Sequence, residues 1–284
     1  MTLYGIPGKD WMKLNKLFSV KDKVAVITGG MGQLGMSYVH ALVEEGAKVA
    51  VFDLVNKPKI DEKWFREELR SGSVSIHQVD VTNRSQIEEA AREVFENWGT
   101  LDILINNAAL DSPPDAPAEE VGLFETYPEE SFDQVMDVNV KGTFLCCQVI
   151  GGIMAKQRYG AIVNISSIYG TVSPRQDIYD FRRKEGKTYF KPVAYSVSKS
   201  AIFNLTRYLA TYWAKDGVRV NTLTLSGIFN NQPEEFLDAY TGHVPLGRMA
   251  QAEEGVGPML FLVSDASSYM TGGNLVVDGG WTAW

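Results

Sequence analysis

Short β-branched runs alternate with helix-patterned segments along most of this chain, and that alternation restricts its folding more than any other feature. Residues 23–28 (K-V-A-V-I-T) and 48–53 (K-V-A-V-F-D) are continuous apolar runs, the pattern of strands buried on both faces. Further strands are expected at 74–80, 101–106, 161–166, 218–225 and 274–278. Helices are expected at 33–45, 61–71, 85–98, 129–156, 193–215 and 253–264, the fourth with a break near Gly151 and Gly152. Such alternation requires right-handed crossovers and yields a mostly parallel sheet covered on both faces. The expected fold class is therefore α/β, a doubly wound parallel sheet of about seven strands flanked by helices.

No internal repeat or linker divides the chain, so a single domain over residues 18–284 is expected, preceded by an N-terminal arm at 1–17. Two stretches break the rhythm. Residues 110–128 are proline-rich and acidic, and residues 171–192 are aromatic and basic. Segments of that length without a regular pattern tend to be lids or binding loops, or else solvated excursions. The formal net charge of −8 argues against a general nucleic-acid binder or a protein held on anionic lipid. Cys146 and Cys147 are adjacent in an apolar run and read as reduced core thiols. No uninterrupted apolar run reaches spanning length, and the N-terminus lacks the order of a secretion signal. A cytoplasmic protein without membrane association is expected.

The turn after the first strand carries chemistry. Gly29, Met31, Gly32, Gln33, Leu34 and Gly35 lie between that strand and the first helix. There, glycines permit a tight turn, close approach of backbone to a pyrophosphate, and close packing of helix on strand. The helix N-terminus then faces the anion. Asp53, followed by Leu54, ends the second strand, where a carboxylate hydrogen-bonds an adenosine ribose and would repel a 2′-phosphate. Neither Met31 nor Gly32 supplies a countercharge, so NAD is expected rather than NADP. The bland alternative for Asp53 is a solvated strand-end carboxylate.

Tyr195 and Lys199 lie four apart, on one face of a helix. An ammonium beside a phenol favours the phenolate, so the pair is suited to proton transfer at neutral pH. By itself the pair is also what a buried ring beside a solvated lysine looks like.

These motifs, in this order, resemble the short-chain dehydrogenase/reductase family from about Phe18 to Trp281. Asp80-Val81 resembles the family's adenine-contacting pair. Asn106-Asn107-Ala108-Ala109 resembles its N-N-A-G element, with Ala109 in place of glycine. Asn139 in D-V-N-V-K-G, the serine site N-I-S-S at 164–167, and the ending S-D-A-S-S-Y-M-T-G-G-N-L-V-V-D-G-G complete the match. The resemblance implies a Rossmann-type domain binding NAD. The cofactor residues it implies are the glycine turn, Asp53, Leu54, Asp80, Val81, Asn107, Ala108, Ala109, Gly227, Ile228, Tyr195 and Lys199. It further implies catalysis by Asn139, Ser167, Tyr195 and Lys199. Ser167 would hold the substrate oxygen, Tyr195 exchange its proton, Lys199 lower the tyrosine pKa, and Asn139 anchor a water. Ser166 competes with Ser167 for the cleft.

Three departures matter. The glycines follow G-x-x-G-x-x-G spacing, with Gln33 where the commoner pattern has glycine. Ser167 and Tyr195 are unusually far apart. Ser226-Gly227 stands where many members have Pro-Gly. The chain looks most like NAD-linked members that serve polysaccharide or flagellin-glycan biosynthesis. An anionic sugar is the expected substrate, with Ser167, Tyr195, Arg182 and Arg183 contacting it; the alternative is that the basic stretch is a lid docked on the acidic 110–128 loop. An epimerase or dehydratase recycling bound NAD, and a catalytically silent NAD-binding regulator, are the other readings. No metal site has ligand spacing. A homodimer or homotetramer is expected through the helices at 129–156 and 193–215, with Trp281 and Trp284 against a partner subunit.

Overall fold

The computed structural model describes residues 14–57, 62–112, 116–184 and 188–284. Seven strands form one sheet: β1 (Val24–Thr28), β2 (Lys48–Asp53), β3 (Val74–Gln78), β4 (Ile103–Asn106), β5 (Gly160–Ser167), β6 (Val218–Leu225) and β7 (Asn274–Val277). Their order is β3-β2-β1-β4-β5-β6-β7, and every neighbouring pair is parallel. The chain winds outward from β1 to β3, then crosses back to β4 and winds the other way. That reversal opens a crevice beyond the C-terminal ends of β1 and β4, where ligands of such sheets bind. The doubly wound parallel fold expected from the alternation is the one found.

The main helices are α1 (Gln33–Glu44), α2 (Lys63–Ser71), α3 (Arg84–Trp98), α4 (Glu129–Gln157), α5 (Val193–Trp213), α6 (Glu234–Thr241) and α7 (Val256–Val263). Successive strand residues point to opposite faces. Val26, Phe52, Leu104, Ile162 and Val220 thus meet α3, α4 and α5 on one face. Ile27, Val51, Ile105, Val163 and Leu223 meet α1, α2 and α7 on the other. Two buried faces need apolar residues at both strand phases, which is why the strands read as continuous runs rather than alternating ones.

Helix α4 differs from expectation. It does not break at Gly151-Gly152; it runs through as right-handed helix with π-helical turns at Asp137–Gly142 and Cys147–Gly151. Gly151 serves packing instead, since a Cβ there would lie 2.5 Å from the Trp213 ring. By length and composition α4 could cross a membrane, despite having no uninterrupted apolar run of that length. Its apolar side is taken up by the core, where Leu145, Cys146, Ile150 and Met154 are buried against the sheet. Cys146 and Cys147 are buried free thiols, and burial pushes both thiol pKa values up.

The irregular stretches join into a third apolar layer above the sheet. The first holds two short 3₁₀ turns, Ala118–Val121 and Phe124–Thr126. The second holds a 3₁₀ turn, Gln176–Tyr179, and a short helix, Asp180–Lys184. The Phe190 N–H donates to the Val121 carbonyl (2.8 Å), tying one to the other. Helix α6, not expected from the sequence, follows Pro233 in the segment after β6. Tyr169, Ile178, Tyr179, Tyr240, Val244 and Trp281 bury together in this layer. Trp281, expected against a partner subunit, is buried within its own chain, stacked on Tyr240 of α6 (4.6 Å between centroids). Trp284 is exposed. Most of the expected N-terminal arm (residues 1–13) lies outside the described residues, as do 113–115 and 185–187 of the two insertions.

Candidate active site

The glycine turn is shaped by close contacts. Gly29 has φ +62°, and a Cβ on it would lie 2.8 Å from the Ala108 Cα. A Cβ on Gly35 would lie 2.4 Å from the Gly29 carbonyl oxygen, so any larger residue would push α1 off the turn. Gly32 carries no such constraint. No side chain caps the start of α1, so its first N–H groups remain available to an anion. Asp53 accepts from the Met31 N–H (3.0 Å) and the Val55 N–H (3.2 Å), which fixes its carboxylate beside the turn; Leu54 is exposed.

Thr28 braces the other side. Its hydroxyl oxygen accepts from the N–H groups of Asn107 and Ala108, both at 3.0 Å. The Asn107 amide donates to the Gly29 carbonyl (2.9 Å). Asn107 and Ala108 therefore shape the turn, while Ala109 is exposed. Asp80 accepts from the Thr82 N–H and hydroxyl (2.8 and 2.7 Å), and buried Val81 packs on Gly142. The Gly227 N–H donates to the Tyr240 hydroxyl (2.7 Å), and Ile228 bridges to Ala250. Apart from Tyr195 and Lys199, the expected cofactor positions thus lie around the C-terminal ends of β1, β2, β3, β4 and β6. The uncapped helix start and the glycine cradle suit a dinucleotide pyrophosphate. Gln33 does something its sequence position does not reveal: its side-chain amide donates to the Phe229 carbonyl (2.8 Å).

Beyond β5 the expected catalytic residues converge. The Ser166 hydroxyl donates to the Lys199 carbonyl (2.9 Å), which occupies it in holding α5. Ser167 instead faces the Tyr195 phenol, whose pKa it lowers, and accepts from the Tyr169 N–H (3.2 Å). Lys199 Nζ lies 5.7 Å from the Tyr195 ring centroid and donates to the Ile165 carbonyl (2.9 Å). Asn139 sits in the first π turn of α4, a kind of irregularity frequent at functional sites. Its Oδ1 accepts from the Leu110 N–H (2.7 Å), and its Nδ2 donates to the Leu110 carbonyl (2.8 Å) and to Ser198 Oγ (2.9 Å). The Ser198 hydroxyl donates in turn to the Tyr195 carbonyl (2.7 Å), so Asn139 and the start of α5 form one network.

The electrostatics differ from the sequence expectation of a lowered tyrosine pKa. Burial pushes the Tyr195 phenol up, the Asp111 carboxylate adds to that, and Ser167 opposes it. Burial brings Lys199 down to about 8. Desolvation is the largest cause at both groups, and the ammonium is directed at a backbone carbonyl.

The substrate end is aromatic. Tyr189, Tyr179, Phe236, Tyr240 and Trp281 form a run of contacting rings with centroid spacings between 4.6 and 5.9 Å. Arg182 lies 4.4 Å from the Tyr189 ring centroid. Arg183, expected to meet substrate, is committed to structure. It pairs with Asp180 and donates to the carbonyls of Gln176 and Tyr189 (2.7 Å to the latter). Lys191 pairs with Asp111, joining the basic stretch to the acidic loop, and its Nζ lies 5.3 Å from the Tyr195 ring centroid. His243 faces Asp177 (3.9 Å) and the edge of Trp281. Asp111, Lys191 and Tyr240 were missed as site residues. The only sequence signal for Tyr240 is its i, i+4 spacing from Phe236. Among the described residues no cluster of His, Cys, Asp or Glu could hold a metal ion.

A family model described as enoyl-(acyl carrier protein) reductase matches residues 31–282. The NAD-dependent glycerol dehydrogenase of Listeria innocua is 33 % identical over 273 residues, covering 94 % of this chain and 97 % of that protein. The chain belongs to the short-chain dehydrogenase/reductase family. Galactitol 2-dehydrogenase of Rhizobium johnstonii is 31 % identical, covering 96 % of this chain and all of its own. Among solved structures, a gluconate 5-dehydrogenase from Burkholderia cenocepacia, in complex with NADP and tartrate, superposes with a TM-score of 0.80 at 25 % identity, covering 95 % of this chain and 99 % of that one. This short-chain dehydrogenase/reductase is an alcohol/ketone oxidoreductase that uses a nicotinamide cofactor.

Proposed function

We propose that this enzyme interconverts a secondary hydroxyl of a polyol and the corresponding ketone with NAD(H). The observation that carries the reading is the convergence of Ser167 and Lys199 on Tyr195, with Lys199 Nζ 5.7 Å from the ring centroid, beside the glycine turn. Ser167 would hold the substrate oxygen. Tyr195 would take or return its proton, and Lys199 would stabilise the phenolate as it forms. Asn139 fixes the start of α5 against the loop after β4 and holds a polar path behind Tyr195. The bound nicotinamide supplies the hydride acceptor or donor. Protein groups contribute placement and field.

NAD is preferred in this reading because Asp53, held by the Met31 and Val55 N–H groups at the end of β2, would repel a 2′-phosphate. A polyol is favoured over the anionic or glycan-pathway sugar expected from the sequence. The named relatives at 33 and 31 % identity are glycerol and galactitol dehydrogenases, whereas the gluconate 5-dehydrogenase is at 25 %, and Arg183 and Lys191 are already paired. The exposed Phe144, Val197, Tyr208 and Tyr212 on α4 and α5 support a homo-oligomer, which light scattering would test.

The test is NAD reduction with a panel of alditols, sugars, sugar phosphates and nucleotide sugars, in the parent enzyme and in Tyr195→Phe. We expect turnover with alditols and a loss in kcat of at least about a hundredfold in the variant. Product without net NADH would instead indicate an epimerase or dehydratase, and an indifferent Tyr195→Phe would indicate a silent NAD binder.

A further inference from the structure

The Asp111–Lys191 pair joins the two insertions beside Tyr195. Asp111 follows β4 by a few residues, and Lys191 lies just before α5. The lysine side chain is only 11 % exposed and points to Tyr195, while the aspartate is 58 % exposed. The carboxylate therefore sits at the mouth, and the ammonium lies beneath it against the reacting tyrosine. Asp111 also acts on the whole pocket: its negative charge raises the phenol pKa values of Tyr195, Tyr169, Tyr179 and Tyr189.

We propose that this pair is a specificity device: Asp111 occupies the place an anionic substrate would take on Lys191, so the site admits uncharged polyhydroxyl compounds and turns away carboxylates and phosphates. This rests on the polyol reading above and narrows it. A carboxylate on the protein competes at high effective concentration with any carboxylate in solution, because its encounter with Lys191 is intramolecular. An anion that did displace it would leave two like charges side by side at the mouth. A hydroxyl has neither difficulty. It can donate to Asp111 and accept from Lys191 while the pair stays intact.

Among the described side chains, the other cations of the basic stretch are already engaged. Arg175 pairs with Asp177 and Arg183 with Asp180, and Arg182 lies over Tyr189. The neighbouring walls are rings with hydroxyl groups, Tyr169, Tyr179 and Tyr189, which suit a chain of carbinols. Discrimination of this sort uses repulsion against the wrong ligand as much as attraction to the right one.

The experiment compares kcat/KM for short alditols with that for aldonates of matching length, using NAD. It uses the parent enzyme, Asp111→Asn, Lys191→Gln and the double variant. The parent should favour the alditol by at least about tenfold, equivalent to about 1.4 kcal/mol. Asp111→Asn should narrow that ratio by a similar factor by raising aldonate turnover. The gain should vanish in the double variant, because it needs the freed Lys191. Lys191→Gln, which leaves Asp111 unpaired, should widen the ratio and tests the idea even if Asp111→Asn folds poorly. A parent enzyme that prefers the aldonate, or an Asp111→Asn ratio unchanged from the parent, overturns the proposal.

Failure of the polyol reading itself would show as no NADH from any compound. Calorimetric titration of the same compounds into the enzyme–NADH complex then decides the inference by itself. Alditol binding with aldonate binding only after Asp111→Asn supports it; aldonate binding to the parent, or no binding by either class, overturns it.

Discussion

The side-chain amide of Gln33 donates a 2.8 Å hydrogen bond to the carbonyl of Phe229, joining the start of α1 to the segment that follows β6. The bond thus ties the glycine turn after β1 to the segment after β6, both beyond the C-terminal ends of their strands. Gln33 stands where the commoner family pattern has glycine, which has no side chain to make such a link.

Gln33→Gly should therefore loosen the segment after β6 without disturbing the turn, since glycine is compatible with the first residue of α1. A single neutral hydrogen bond is worth about 0.5–1.5 kcal/mol net. The expected result is a KM for the nicotinamide cofactor raised by roughly two- to tenfold. If cofactor release limits turnover, kcat should rise in the same variant. Stopped-flow measurement of NADH release reads both, and release at the parent rate would show that the bond carries no such role.

The carboxylate of Asp53 is expected to decide between the two nicotinamide cofactors. Asp53→Asn keeps an oxygen acceptor for the Met31 N–H but removes the charge. The ratio of kcat/KM for NAD over NADP should fall by about tenfold or more, the scale of one charged hydrogen bond. Initial rates with each cofactor at a saturating alcohol concentration give the ratio directly. Asp53→Ala should lower activity with both cofactors, because the turn loses its acceptor as well.

Lys199 should leave a signature in stability against pH. Burial brings its folded pKa down to about 8, from the ordinary lysine value of 10.5. Between those values the unfolded chain binds more protons than the folded one, so this group makes stability rise with pH. A gap of that size corresponds to about 3 kcal/mol at 1.36 kcal/mol per unit. Lys199→Met removes the group while keeping its bulk. The parent protein should then gain on the variant by up to that amount between pH 7 and pH 10, whatever the offset caused by leaving the Ile165 carbonyl without its donor. Tyr195 titrates in both proteins and cancels to first order. Denaturant melts at several pH values test this, and parallel stability curves would show that the lysine is not desolvated.

The sheet was legible because strands buried on both faces must be apolar throughout, so β1, β2 and β4 announce themselves without tertiary information. Asn139, Ser167, Tyr195 and Lys199 could be named because the family motif fixes them and the fold brings them together. The substrate end was far less legible. Whether Arg183 faces a ligand or its own loop depends on where the Gln176 and Tyr189 carbonyls fall, and nothing in local sequence encodes that. Asp111 and Lys191 are 80 residues apart and meet only through the packing of two irregular segments. The fall in tyrosine pKa expected from the Tyr195/Lys199 spacing failed for a similar reason. Spacing gives proximity along a helix, whereas desolvation depends on what covers it.

Arg183 provides the sharpest contrast between the two views of the basic stretch. As an anion receptor it would matter only for charged substrates. As observed, its guanidinium pairs with Asp180 and draws the carbonyls of Gln176 and Tyr189 together, holding the wall that carries Tyr179 and Tyr189. Its side chain is 28 % exposed, so the loss of these contacts should be felt, though solvent screening keeps the ion pair itself modest. Arg183→Ala should raise KM for neutral and charged substrates alike, with a smaller change in kcat, and lower the melting temperature by a few degrees, consistent with a loss of about 1–2 kcal/mol. Arg183→Lys should not rescue it, because an ammonium cannot reproduce the planar fork that reaches two carbonyls and a carboxylate together. A KM effect confined to acids or phosphates would restore the receptor role; a uniform one, with no rescue by lysine, assigns Arg183 to the architecture of the pocket wall.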